Sequence, residues 1–163
     1  MELTNLMAVN VDMSGWKIRG GIDYDFPEGT VIEAGGYLVI SDHPEAMAAG
    51  TLGPWSGSLN NGGEQIRLRN NSGRLMNEVD FRDSGAWPVG ADGSDATLAK
   101  KWRETASDDA RSWRASTAIG GSPGAANPEP VADESVVFYE IAAASGAPAE
   151  ISTSSWLTLV QKR

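Results

Sequence analysis

Apolar and polar residues alternate in short runs along this chain, and glycine, proline, asparagine or aspartate closes each run. In Gln65-Ile66-Arg67-Leu68-Arg69, Ile66 and Leu68 fall on one side and the polar residues on the other. A period of two marks a strand with one buried and one wet face. In the stretch 75–81, Leu75, Val79 and Phe81 make an apolar side, while Glu78 and Asp80 face away. Asn70-Asn71-Ser72-Gly73 separates these two runs. Asn and Gly tolerate positive φ, so the segment predicts a hairpin turn. Further strands are predicted over residues 2–11, 13–18, 37–41 and 97–102. The run 36–41 lacks polar alternation and predicts a central strand buried on both faces.

Helix signals are thin. Pro44 and Gly50 bracket one predicted turn over 43–50, and a second is predicted over 108–113. Many short strands between turn residues predict an all-β sandwich or barrel. After Gly120 the composition shifts to Gly, Pro and Ala, which reads as a linker. The expected organisation is a β domain over 1–120, a linker over 121–133, and two more strands, 135–141 and 155–161, within 134–163.

The length of 163 residues suits one domain plus a fragment of another. Forty per cent hydrophobic and 21% charged residues exclude a wholly disordered chain. No apolar run nears the roughly 18 residues that a membrane-spanning helix needs. The absence of cysteine excludes disulfides and thiolate metal or redox sites. A net charge of −9 makes non-specific nucleic-acid binding unfavourable. The charge is uneven, however. Residues 1–60 hold two basic and eight acidic residues, whereas 61–127 hold nine of each.

Candidate chemistry is sparse. His43, the one histidine, precedes Pro44 and has no partner motif for a base or a ligand set. Asp92-Gly93-Ser94-Asp95 and Asp108-Asp109 lack the calcium-loop pattern and read as turns. Asn70-Asn71-Ser72 fits a glycosylation sequon and marks an exposed turn. No catalytic signature, metal site or cofactor site is expected, so the chain reads as non-enzymatic. The six tryptophans offer more. Trp16 sits in a predicted strand and reads as core. Trp55 and Trp87 lie in Gly/Pro-rich loops, and Trp102 and Trp113 stand near a basic stretch. The candidate binding residues are therefore Trp55, Trp87, Lys100, Lys101, Trp102 and Arg103. Aromatic faces stack on sugar rings, and interleaved basic residues touch phosphate. The simpler alternative is core packing plus a solvated face balanced by Glu104, Asp108 and Asp109.

Several segments resemble the lamin tail domain family. Met13-Ser14-Gly15-Trp16-Lys17-Ile18 is similar to its "L-S-G-W-x-I/L" strand, and Phe26-Pro27-Glu28-Gly29-Thr30-Val31-Ile32 to its "F-P-x-G-T-x-I" turn. Ala34-Gly35-Gly36-Tyr37-Leu38-Val39-Ile40-Ser41-Asp42 continues the pattern. The most specific stretch is Ser58-Leu59-Asn60-Asn61-Gly62-Gly63-Glu64-Gln65-Ile66-Arg67-Leu68, which resembles "S-L-x-N-x-G-E-x-I-x-L". Trp87-Pro88, Ala91-Asp92-Gly93-Ser94 and Ser122-Pro123-Gly124-Ala125-Ala126-Asn127 follow in the family's order, so the resemblance covers residues 1–127. It implies an immunoglobulin-like β-sandwich and a non-catalytic interaction or spacer module. It also implies a larger, bacterial-type secreted or cell-surface parent, with a protein or surface polymer as partner. An accessory domain binding carbohydrate or nucleic acid is the alternative.

Two departures from the family stand out. Its opening "I-N-E-I" strand is missing before Met1-Glu2-Leu3-Thr4-Asn5-Leu6, which resembles the second strand. Val136-Val137-Phe138-Tyr139-Glu140-Ile141 resembles that missing strand, and Trp156-Leu157-Thr158-Leu159-Val160-Gln161 resembles the one after it. Residues 134–163 therefore either begin a tandem repeat or fold back, or swap into a neighbouring molecule, to complete the sandwich.

Overall fold

A computed structural model of the chain describes residues 1–128. The strands expected within 134–163 lie outside the described residues. Those described are all-β, with three 3-10 turns and no α-helix. The strands are β1 (Glu2–Thr4), β2 (Val11–Asp12), β3 (Lys17–Gly20), β4 (Ile22–Asp25), β5 (Val31–Ile32) and β6 (Tyr37–Val39). They continue with β7 (Ser56–Gly57), β8 (Gly63–Arg69), β9 (Leu75–Arg82), β10 (Ala96–Lys100) and β11 (Trp113–Ile119).

The larger layer is a five-stranded antiparallel sheet in the order β7-β4-β3-β8-β9. Gly20 lets β3 lie close to β8. Its φ is +134°, and a Cβ there would fall 1.8 Å from the Gln65 carbonyl oxygen, so no other residue fits. Facing this sheet are the pairs β1–β6 and β2–β5. Ile18, Ile22 and Ile40 are fully buried between the layers. Met13, Tyr24, Phe26 and Ile32 complete the core cluster, against which Leu3, Leu38, Ile66 and Leu68 pack. The Tyr24 and Phe26 rings meet edge to face at 5.1 Å, a geometry the ring quadrupoles favour.

The outer face of the large sheet is charged in lanes. The two central strands β3 and β8 carry Lys17, Arg19, Arg67 and Arg69, while the flanking strands carry Asp23 and Asp25 on β4 and Glu78 and Asp80 on β9. Register places Arg67 across from Glu78, and their side chains meet at 2.7 Å. Arg19 pairs with Asp25 in the same way across β3 and β4.

The strand predicted over 2–11 stops early. Asn5 turns its side chain inward and is 5% exposed. Its amide nitrogen donates to the carbonyls of Val9 at 2.8 Å, Ile32 at 3.1 Å and Glu33 at 3.0 Å. Its amide oxygen accepts the Met7 N–H at 2.9 Å, and its backbone N–H reaches the Gly36 carbonyl at 3.0 Å. The run 36–41 also differs from expectation. Tyr37, Leu38 and Val39 are half-buried: among the described residues β1 covers one side of the strand, and Leu52 alone bridges to the other, at Ile40.

Asn5→Ala leaves buried carbonyls without donors and is expected to cost about 2–3 kcal/mol. Asn5→Asp loses the same donors, so chemical denaturation should show a comparable loss for both. A neutral Asn5→Asp would mean that the amide bonds carry no stability.

Burial raises the Glu2 carboxyl above its usual pKa of 4.5, against a hydrogen bond from the Gly124 N–H. The native state thus holds the proton more tightly than the unfolded chain. The stability this gives is complete below pH 4.5 and is lost as pH rises through the native pKa. Glu2→Gln is therefore expected to raise the melting temperature at pH 7 and to leave it unchanged at pH 3. An equal gain at both values would contradict burial as the cause.

Candidate functional site

β10 and β11 form an antiparallel hairpin in which Lys100 lies directly across from Trp113. The Lys100 ammonium sits 5.8 Å from the centre of the Trp113 ring and donates to the Thr105 carbonyl. Burial lowers its pKa, while Glu104 and Asp108 pull the other way. The Trp113 indole N–H donates to the Ser107 carbonyl at 2.9 Å, and its ring leans on Trp87 at 6.3 Å. Trp87 and Trp113 therefore act as packing for the hairpin and for the loop that joins its strands.

That loop is tied down at both ends. The Lys101 N–H donates to the Ser112 carbonyl at 2.9 Å, and the Thr105 hydroxyl to the Trp102 carbonyl at 2.7 Å. Asp109 caps the 3-10 turn Ala110–Ser112 by accepting the Arg111 N–H at 3.0 Å. Hydrogen bonds from Arg111 hold the Asp109 carboxyl below its usual range. On this fixed loop Trp102 points outward and is 52% exposed. Next to it, Arg103 bonds Glu104 at 3.2 Å and also the Tyr37 side chain. These two hydrogen bonds, Glu104 first, raise the Arg103 pKa. Beyond Tyr37 opens a shallow groove of about 380 Å³, floored by Leu38 and Val39 and rimmed by Met47, Thr51 and Pro123. Met47 is 41% exposed there.

The structure divides the sequence candidates. Trp55 is half-buried against the main core, away from any role on the hairpin. Trp87 is occupied by its ring contact, and Lys100 by Trp113 and Thr105. Lys101 is half-buried on the hairpin. Trp102 and Arg103 remain as an exposed pair. Tyr37 lies near Arg103 and shares its groove with Met47, and nothing in the sequence linked such distant positions to the basic stretch. His43 is exposed and lies 3.4 Å from Glu45. Among the described residues, no group of three or more His, Asp or Glu side chains converges as a metal ion requires, and no helix is long and apolar enough to cross a membrane.

The sequence profile of the Lamin Tail Domain family matches residues 1–83, just over half of the chain. The match takes in everything from β1 to β9. This chain belongs to the lamin tail domain family. Lamin tail domains are non-enzymatic, immunoglobulin-like protein-interaction modules, so the all-β sandwich here has the fold that the sequence resemblance implied. No curated protein matches the chain. The β10–β11 hairpin, with Trp102 and Arg103, follows the matched residues of this lamin tail domain.

Trp113→Ala is expected to cost about 3 kcal/mol through loss of its ring contacts. Trp102→Ala should stay within about 0.5 kcal/mol, as surface changes do. Urea unfolding of both variants checks the contrast, and equal losses would place Trp102 among the packing residues.

Proposed function

We propose that this chain is a non-catalytic interaction module of a larger secreted or cell-surface protein, and that it engages a protein partner through Trp102 and Arg103. The observation that carries this reading is a half-exposed indole beside a guanidinium that Glu104 and Tyr37 already hold in place. Trp and Arg are the side chains that most often dominate binding energy, and a side chain ordered before binding loses less entropy on contact. The groove beside Tyr37 gives the partner an apolar rim that includes Met47. A family of interaction modules supplies the same general role.

The alternative is an accessory domain that binds carbohydrate through the same indole. Trp102 favours it, because an exposed ring face stacks on a sugar. A nucleic-acid partner gains less support, since Arg103 and Arg111 are already paired with Glu104 and Asp109.

A photo-crosslinking residue in place of Trp102, compared with one in place of Lys17 on β3, separates these readings. The protein reading expects one defined crosslinked partner at position 102, with capture by the unlabelled chain reduced at least tenfold (~1.4 kcal/mol) by Trp102→Ala. Glycan-array binding that is lost in Trp102→Ala, without any protein crosslink, would favour the carbohydrate reading. Silence in both assays would leave a spacer.

A further inference from the structure

The loop between β1 and β2 presents apolar side chains to solvent. Leu6 is 53% exposed, Met7 60% and Val9 60%, and Ala8 between them is exposed too. None of the four belongs to the core cluster. Joining two strands does not call for such residues, since Gly, Ser, Asn or Asp makes a surface turn without wetting apolar groups. Exposed apolar residues that adjoin one another, rather than lying scattered, mark a place where another molecule docks.

The loop is held in shape at both ends. The Asn5 amide nitrogen donates to the Val9 carbonyl at 2.8 Å, and its oxygen accepts the Met7 N–H at 2.9 Å. These two bonds gather residues 5–9 around one side chain. Farther on, the Asn10 side-chain oxygen accepts the Ala34 N–H at 3.0 Å, which ties the loop to the β5–β6 connection. Leu6, Met7 and Val9 are therefore set in place before any contact, and binding has little backbone freedom left to remove.

Charge narrows the choice of partner. Segments 5–12 and 30–36 meet through Asn5 and the β2–β5 pair. They contain Asp12 and Glu33 and no Lys or Arg. Both acidic side chains are on exposed residues. Hydrogen bonds from the Ser14 hydroxyl and N–H hold the Asp12 carboxyl below its usual range, so it stays charged. An anionic lipid surface repels such a rim, and these segments hold none of the Trp, Tyr, Lys or Arg side chains that anchor at a bilayer interface. A second copy docking by the same patch would set Asp12 and Glu33 against their own kind.

We propose that the loop 6–9 is a docking finger for a protein whose apolar pocket receives Leu6, Met7 and Val9 and whose rim carries Lys or Arg facing Asp12 and Glu33. Methionine suits this role, because its flexible thioether adapts to the wall of a pocket. The inference does not depend on what Trp102 binds.

A diazirine amino acid in place of Met7, with one in place of the exposed Ser72 as control, is photolysed in extract and conditioned medium of cells that make the chain. Each protein crosslinked at position 7 is then purified and titrated with the unlabelled chain. Met7→Ser and Leu6→Ser are each expected to weaken binding about tenfold, while the melting temperature of the chain stays within about 2 °C of its original value. Affinity should fall about threefold between about 50 and 300 mM NaCl, and Asp12→Asn combined with Glu33→Gln should abolish that salt dependence. Equal crosslinking at position 72, a captured protein indifferent to both loop substitutions, or no capture at all would overturn the proposal. Two further assays address the other occupants. Sedimentation with phosphatidylcholine–phosphatidylglycerol vesicles that Met7→Ser abolishes would make the loop a membrane anchor instead. A dimer seen by light scattering and lost in Met7→Ser would make it a self-contact, and either result overturns the protein reading.

Discussion

The buried amide of Asn5 is the constraint on which the narrow layer depends. A strand that ran on from Glu2 to Val11 would leave no room for β2 to turn back against β5. Asn5 ends it by offering one side chain to four backbone groups. Val9 and Met7 belong to the loop that follows it, and Ile32 and Glu33 to the end of β5. The side chain thus fixes the β1–β2 loop against the β5–β6 loop in a single contact. Leucine or valine there would fill the space and leave those carbonyls buried without donors.

From this anchor the sandwich is assembled with little material. Three isoleucines are fully buried, and the remaining core side chains come from both layers. The hairpin of β10 and β11 uses a separate device. Its two strands are held by Trp113, Trp87 and the aliphatic and cationic parts of Lys100 rather than by the main core. Division of labour follows: the sandwich supplies rigidity, and the loop between β10 and β11 carries the exposed indole.

Much of this was legible in the residue pattern. The alternation of Ile66 and Leu68, and the turn Asn70-Asn71-Ser72-Gly73 that follows, marked β8, β9 and their hairpin to within one or two residues. The run 2–11 misled because Asn5 is a polar residue that the core accepts, and one sequence cannot show the carbonyls waiting for it. β4 was not anticipated although Ile22 and Tyr24 alternate with Asp23 and Asp25, since four residues behind two glycines carry a short signal. β11 was hidden by its small and polar residues, Ala115, Ser116 and Thr117, which carry weak strand signals. At the candidate surface the pairing of Trp102 with Arg103 was visible, yet Trp55 and Trp87 looked the same as Trp102. What separates them is neighbours brought from elsewhere in the chain, such as Trp113 behind Trp87.

The charged lanes of the large sheet have a consequence for how copies of the molecule tolerate one another. β9 is the outermost strand of that sheet, eight residues long, and its edge is open among the described residues. Long open edges are where folded β proteins begin to polymerise. Here Glu78 and Asp80 stand on that strand, so two molecules approaching β9 to β9 in antiparallel fashion would bring carboxylates together near the centre of the seam. Glu78 pairs with Arg67 on β8, and Asp80 with Arg82 on the same strand. Electrostatic repulsion of this kind is screened by salt. High ionic strength would therefore weaken a safeguard against edge-to-edge growth while leaving the hydrophobic core of the sandwich in place.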